Sequence, residues 1–354
     1  METIKLFTIA DLKAWILCGK TIEGLTENVI TKTRAYSLIN NPYVTEDHPV
    51  VSALFVNNEL AAYTAAFPER LSEPKCLTHW FNSLYVSPKH EGKGYGLIVL
   101  GTLMEKYDKD VIFDLDAVPT SVEILSYLGL CSSSFKQYHF RNKCINQTTL
   151  KGHLVYIHEK IRRFFRDHKS ISILKSSIKS AKYTICYDNF IDYETYCFIE
   201  QHANDDSFLR TQDSLNWMLR NPFVHESPLL NRTNNTILFT SSKIFQRYYV
   251  VKLHINNTLV GVYILCDSST RLSLLYLYYD KQWQNDVLLS IAEHIIKIDN
   301  PRFSTTNTTV AKFIQSNKLY SIAETTDTSI CYPCTYKHIC DKNIQGGDGD
   351  MFLN

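Results

Sequence analysis

Residues 82–107 read NSLYVSPKHEGKGYGLIVLGTLMEKY, and the fold follows from how this run changes character along its length. Leu84, Tyr85 and Val86 have the apolar, aromatic and β-branched character of a buried strand, which Ser87-Pro88 ends. Beyond Gly96, the apolar residues Leu97, Leu100, Met104 and Tyr107 recur at helical spacing, and Ile98 and Leu103 widen that stripe. Strand and helix are joined by a turn containing Gly92, Gly94 and Gly96. Without side chains there, backbone N–H groups can approach an anion closely, and the start of the helix adds its partial positive charge. Glu91, Gly92, Lys93, Gly94, Tyr95, Gly96 and Leu97 are therefore read as a phosphate cradle.

The spacing of the glycines selects among phosphate-binding loops. A Walker loop needs Gly-Lys followed by Ser or Thr, and here Gly92-Lys93 is followed by Gly94. A dinucleotide fingerprint needs a third glycine where Leu97 stands, although Asp114 lies at a suitable distance downstream. The string from Val86 and Pro88 through Glu91 to Gly96 closely resembles the acetyl-CoA signature of the GNAT N-acetyltransferase superfamily, in which V-x-P leads into [QR]-x-x-G-x-[GA]. Glu91 stands where that pattern has Gln or Arg.

The resemblance implies an α/β fold with a mixed, mostly antiparallel central sheet flanked by helices. It implies acetyl-CoA as co-substrate, its diphosphate on the cradle and its pantetheine arm against the backbone of Leu84, Tyr85 and Val86. It also implies that the strand read over Asp110 to Val118 splays from the one before it, so that the arm slips between them like an added strand. The implied reaction moves an acetyl group to an amine of a small molecule or peptide. The other reading of the same features is a non-catalytic acyl-CoA sensor or interaction protein.

An ammonium acceptor must lose a proton before it attacks, so a base or an ordered water is needed near the strand that enters the loop. His79 is the titrating candidate there, and Asn82 and Ser83 lie beside it. Strict alternation puts His79, Phe81, Ser83 and Tyr85 on one face and Trp80, Asn82 and Leu84 on the other. Asp114 and Asp116 are candidate water-positioning groups. The family's acid tyrosine falls on Leu125; the nearby Tyr127 is two residues, about 200° of helix, away.

With 45% hydrophobic and 21% charged residues, the 354-residue chain can bury the cores of two domains. A formal net charge of +1 supplies no general attraction to nucleic acid or membrane, and no apolar run is long enough to span a bilayer. A cytoplasmic protein is expected, with a homo-oligomer compatible with the sequence. The ten cysteines are expected as buried thiols rather than as a disulfide framework.

The second half repeats the first. Leu54 to Tyr63 answers to Leu253 to Tyr263, with Asn57 matching Asn256 at an offset of 256 − 57 = 199. Leu84-Tyr85-Val86 is matched to Leu275-Tyr276-Leu277 at 191, and Val122 to Val310 at 188. Preserved order with a drifting offset is the mark of two copies with different loops. Opposite the cradle stands Tyr279 to Gln284, without a glycine, so this copy is expected to bind no acetyl-CoA. The division expected is 1–145 for the cofactor-binding copy, 146–180 for a connector and 181–354 for the degenerate copy, which walls one side of the acceptor cleft. Leu150 to His168, containing LVYIHEKIRRFFRDH, is read as a basic amphipathic connecting helix.

Near the end, Cys331, Cys334, His338 and Cys340 stand at C-x2-C-x3-H-x-C, which could close a tetrahedral zinc site or supply free thiols around a strand. The tail from Gly346 to Asn354 is glycine-rich, and its composition predicts a frayed end, with docking in a cleft as the other reading.

Overall fold

Asn57 and Asn58 both adopt positive φ, 51° and 69°, as do Asn256 and Asn257 at 52° and 62°. Those values suit a type I′ turn, whose twist matches that of the strands it joins. Each pair closes a hairpin, and the same turn in each half is the first structural sign of the repeat. The computed structural model describes residues 1–73, 75, 77–107, 112–142, 172–223, 246–340 and 342–349. The connector expected over Leu150 to His168 lies outside the described residues.

The first copy runs β1 (Glu2–Thr8), α1 (Ile9–Ile16), α2 (Lys32–Ile39), β2 (Pro49–Val56), β3 (Glu59–Glu73), β4 (Leu77–Val86), α3 (Tyr95–Met104), β5 (Ile112–Leu115), α4 (Pro119–Tyr127) and β6 (Leu130–Arg141). After helical residues 172–180, named α5, the second copy runs β7 (Tyr183–Asp188), α6 (Tyr193–His202), β8 (Leu209–Arg210), α7 (Gln212–Arg220), β9 (Gln246–Ile255), β10 (Thr258–Ser268) and β11 (Leu272–Tyr279), then α8 (Gln284–Ile298), β12 (Arg302–Thr305), α9 (Thr308–Ser316), β13 (Ile322–Pro333) and α10 (Lys337–Cys340).

The main sheet is ordered β1-β2-β3-β4-β5-β13-β6-β12-β11-β10-β9-β7. Matching each strand to its repeat makes this order a palindrome about the β13–β6 pair. The copies have exchanged their last strands: β13 pairs antiparallel with β5, and β6 with β12. The sheet therefore does not divide at the chain boundary between 1–145 and 181–354, because each copy is completed by a strand of the other. Cys131 and Cys334 form a disulfide across the end of the β6–β13 pair. The expectation of free thiols throughout fails for these two, since exchange brings their strand ends into register. With Cys334 so bonded, the four-ligand zinc arrangement is lost, and among the described residues no three metal-ligating side chains meet.

One face of the sheet is covered by α3 and α4 over Ala66, Phe81, Leu100, Leu103 and Leu125, and in the second copy by α8 and α9 over Leu253, Val287, Ile291 and Val310. On the opposite face a single core bridges the copies, uniting Phe67, Trp80 and Phe113 with Phe208, Trp217, Ile264 and Tyr276.

The C-terminal segment also belongs to this core. Ile344 and Asp348 are buried, and a Cβ added at Gly347 would lie 2.2 Å from the Tyr276 ring. Arg210 donates to Glu69 Oε1 at 2.7 Å, to the Tyr276 hydroxyl at 2.7 Å and to the carbonyls of Gly347 and Gly349. The frayed end predicted from composition is thus replaced, through Gly349, by a docked segment. Its glycines permit backbone approach to a fully buried guanidinium.

Candidate functional site

Backbone register shows why β4 opens where it does. Parallel pairing of β4 with β5 covers His79↔Ile112, Trp80↔Phe113 and Phe81↔Asp114, and none follows among the described residues. On its other side β4 stays paired with β3, where Ser87 N–H donates to Ala61 at 2.8 Å. Alternation along an antiparallel pair then turns Tyr85 toward β3 and aims the amides of Leu84 and Val86 the other way, into the gap left by β5. Of the three residues expected to meet the pantetheine arm through their backbone, two face the gap and Tyr85 faces its own sheet.

Ser83 makes the geometry sharper. The β3–β4 register slips between Leu84 and Asn82, leaving Ser83 as an extra residue with φ +69°. A bulge in the left-handed region costs a non-glycine residue about 1–2 kcal/mol. The hydroxyl accepts a hydrogen bond of 2.9 Å from Arg34 on α2. The bulge also resets the side-chain phase. Phe81, Leu84 and Val86 pack toward α3, while Tyr85 joins Trp80 on the other face, its ring tilted against that of Tyr63 at 5.3 Å. Strict alternation, which put Ser83 and Tyr85 on the His79 face, fails for this reason.

A cavity of about 270 Å³ fills the gap, lined by Asn82, Ser83 and Leu84 of β4, by the segment from Asp114 to Val118, and by Thr64, Leu100, Ser121, Gln137 and Arg271. Thr64 Oγ1 and Asn82 Oδ1 are buried with no hydrogen-bond partner in the protein. Such orphaned polar atoms are costly unless a ligand or water satisfies them. Asp116 is held at φ +63° with its amide bonded to Ser329 of β13 at 2.9 Å. Burial pushes its carboxyl above the ordinary range, against the opposing pull of Arg271 and His139. Arg271 and Ser329 both come from the second copy, so the pocket is shared.

The glycine turn lies beyond the open end of β4. Gly92 and Gly94 have φ +76° and +77°, and a Cβ built on either meets nothing within 4 Å. Gly94 caps α3, whose first helical bond runs from Ile98 N–H to the Gly94 carbonyl. The amides of Tyr95, Gly96 and Leu97 thus precede any intrahelical partner. Gly96 serves packing instead: a Cβ there would sit 3.3 Å from Val86 and 3.4 Å from Ile124, so its absence lets α3 close onto β4 and α4. Glu91 and Lys93 are solvent-exposed, which leaves the Glu91 carboxylate screened.

The other expected residues are divided. Asn82 lines the cavity. His79 does not: it packs on the α3 face, its ring stacked on Tyr107 at 3.8 Å and on His48 at 5.3 Å. Neither nitrogen has a partner, and burial drives its pKa down to about 3. Tyr127 is 72% exposed, its hydroxyl directed to Glu123. Arg34, Thr64 and Arg271 were not anticipated. They come from a helix, a neighbouring strand and a turn of the other copy, with no shared spacing to connect them.

No protein-family model and no curated protein matches the sequence. Among solved structures, Saccharomyces cerevisiae N-myristoyltransferase with bound myristoyl-CoA superposes at a TM-score of 0.51 with 11% identity, covering 93% of this chain and 78% of that one. A tandem GNAT protein from the clavulanic acid biosynthesis pathway gives 0.48 with 8% identity over 94% and 97% of the two chains. A GCN5-related N-acetyltransferase from Kribbella flavida gives 0.48 with 11% identity over 93% and 71%. The palindromic sheet, the splayed β4 and the glycine turn at the head of α3 give this chain the fold of the GNAT superfamily in its tandem form, with the turn kept in the first copy alone.

Proposed function

We propose that the chain transfers an acetyl group from acetyl-CoA to an amine of a small molecule or peptide held in the gap between β4 and β5. The observation that carries this reading is that the strand whose outward amides border the gap runs straight on into the glycine turn. Leu84 and Val86 turn their amides toward the gap, Thr64 and Asn82 line its cavity with orphaned oxygens, and β4 leads on to the first turn of α3. The amides and the helix terminus fit the donor. The N–H groups of the loop suit its diphosphate, and Leu84 and Val86 suit its amide-bearing arm. When bound, acetyl-CoA supplies an activated acyl carbon.

The remaining work falls to the chain. An N–H of β4 beside the bulge donates to the thioester carbonyl and stabilises the negative charge that develops there. Asp116 takes the proton of the attacking amine, directly or through a water, because it is the cavity carboxylate whose pKa burial raises toward that task; as the C–N bond forms the C–S bond breaks, and coenzyme A leaves as a thiolate protonated from solvent. Asn82 and Thr64 orient the acceptor. Arg271 seals the cavity from the second copy and bounds the charge of Asp116. His79 and Tyr127 lie outside this lining, so the proposal gives them no proton to move.

A thiol-release assay over a panel of amines, with acetyl-CoA binding measured alongside, tests the reading. Release that depends on the amine and is lost in Asp116→Asn supports it. Binding without release for every amine leaves an acyl-CoA-binding protein, and absence of binding removes the donor altogether.

A further inference from the structure

The bulge at Ser83 is held in place from outside its strand, and what holds it is itself anchored to the second copy. Arg34 is a buried residue of α2, with its backbone N–H on the capping Thr31 hydroxyl at 3.3 Å. Its guanidinium donates to Ser83 Oγ at 2.9 Å and lies over the Phe223 ring at 4.8 Å. Helix α2 is tied in turn to α7: Trp217 Nε1 donates to the Ser37 carbonyl at 2.9 Å, and Ser37 Oγ donates to the Asn221 carbonyl at 2.6 Å. A chain of contacts thus runs from the second copy through α2 to one strained residue in the first.

We infer that Arg34 is a positioning residue, locking Ser83 in its left-handed conformation so that the next amide, that of Leu84, stays aimed into the acyl cavity. This rests on the acyl-CoA reading and deepens it. Serine seldom adopts φ near +69° unaided, so the conformation needs a tether. Glycine adopts it freely. Without the Arg34 bond, the chain relaxes toward regular β geometry and the Leu84 amide swings out of line. Arg34 touches no reacting atom in this scheme. It acts through Ser83, and the second copy contributes to the chemistry by fixing α2.

The test needs no knowledge of the acceptor. Infrared difference spectroscopy of carbonyl-labelled [13C]acetyl-CoA bound to the full chain reads the polarisation of the thioester, and calorimetry reads its affinity. In the unaltered protein the carbonyl band is expected below that of free acetyl-CoA. Arg34→Met and Ser83→Ala are expected to return it to the free position while affinity stays within about threefold, because the diphosphate cradle is untouched. Ser83→Gly is expected to keep the shift, and so is the double variant Arg34→Met with Ser83→Gly, since glycine needs no tether. Melting curves identify any variant that has lost its fold, and Arg34→Lys, which keeps a buried donor, stands in for Arg34→Met in that case and is expected to retain only part of the shift. A full shift in folded Arg34→Met, or its loss in the double variant as in Arg34→Met alone, overturns the inference while leaving acyl-CoA binding intact. Failure of the unaltered protein to bind acetyl-CoA overturns the acyl-CoA reading and this inference with it.

Discussion

The two copies contain the same opening and do different things with it. In the first, β4 leaves β5 after Phe81 and the gap becomes a cavity. In the second, β11 and β12 pair at Leu272↔Phe303 and Ser273↔Ser304, and the amide of Leu277, the counterpart of Leu84, accepts no ligand's approach because Gln345 Oε1 already takes its hydrogen at 2.9 Å. Gly346 lies so close to the Leu274 carbonyl that a Cβ would be 2.6 Å away. The turn after β11 has no glycine, and His202 holds its Asp280 at 2.8 Å. Where the first copy has Asp114 at the end of its short strand and Asp116 just beyond it, the register of the second sets Thr305 and Asn307. Parallel strands that splay leave a row of donors unmet, and such a row must be satisfied by a ligand, by water or by the chain itself. The first copy keeps the row open; the second closes it with the protein's own C-terminal segment.

The comparison breaks most decisively at Asp116. Asp116→Asn is expected to lower amine-dependent turnover by about 10²- to 10⁴-fold, whereas Asn307→Ser at the matching place in the second copy leaves it unchanged. Because burial raises the Asp116 pKa, the rate of the unaltered protein should climb with pH along a limb above the usual carboxylate range. Stopped assays across pH check both the loss and the disappearance of that limb.

Next in size is the latch that closes the second copy. Arg210→Met strips the cation from buried Glu69 and Asp348 and is expected to cost about 3 kcal/mol in urea unfolding. Amide hydrogen exchange over residues 345–349 should quicken with it. Asp348, whose pKa is pushed to about 8 by burial, gives the same segment a pH dependence. Its folded pKa lies above the unfolded value, so the stability tied to its neutral form falls as pH rises from the unfolded value through about 8.

A smaller effect is expected at the turn. Gly94→Val forces a β-branched residue into a left-handed cap, and acetyl-CoA affinity should fall about tenfold, equivalent to about 1.4 kcal/mol. The reciprocal change Gln284→Gly should create no second binding site, because the gap behind it is already occupied. A further effect, away from the site, is on acid stability. His79 is neutral when folded, with a pKa near 3 against 6.5 for the ordinary group. Below pH 6.5 the unfolded chain binds the extra proton, so stability is lost as pH falls toward 3, at up to about 1.4 kcal/mol per unit. His79→Leu should flatten that slope.

How much of this was legible beforehand depended on whether a feature is local. The glycine turn, the strand before it and the helix after it are set by neighbouring residues, and the repeat showed in the paired Asn-Asn turns. Register was harder. Sequence matching set Leu84 against Leu275, whereas hydrogen bonding from Ser87 to Ala61 and from Asp280 to Val260 sets Leu84 against Leu277, an offset of 277 − 84 = 193. In a strand buried on both faces, a slip of two residues preserves every pattern that a sequence can display. The exchange of β6 and β13, the disulfide that follows from it and the burial of the tail depend on contacts across roughly 200 residues of chain, as the Cys131–Cys334 separation of 203 shows. The cavity's polar lining was half visible. Asn82, Asp114 and Asp116 sit near the motif, while Arg34, Thr64 and Arg271 are assembled by topology alone.

The central claim is that one opening accepts acetyl-CoA and its twin does not, and hydrogen exchange on the full chain during calorimetric titration tests it directly. The account predicts one acetyl-CoA per chain, with slowed exchange at Leu84, Val86 and the amides from Gly94 to Leu97, and no change around Leu277. Two molecules per chain, or protection centred on Leu277 with the glycine turn unaffected, would contradict it.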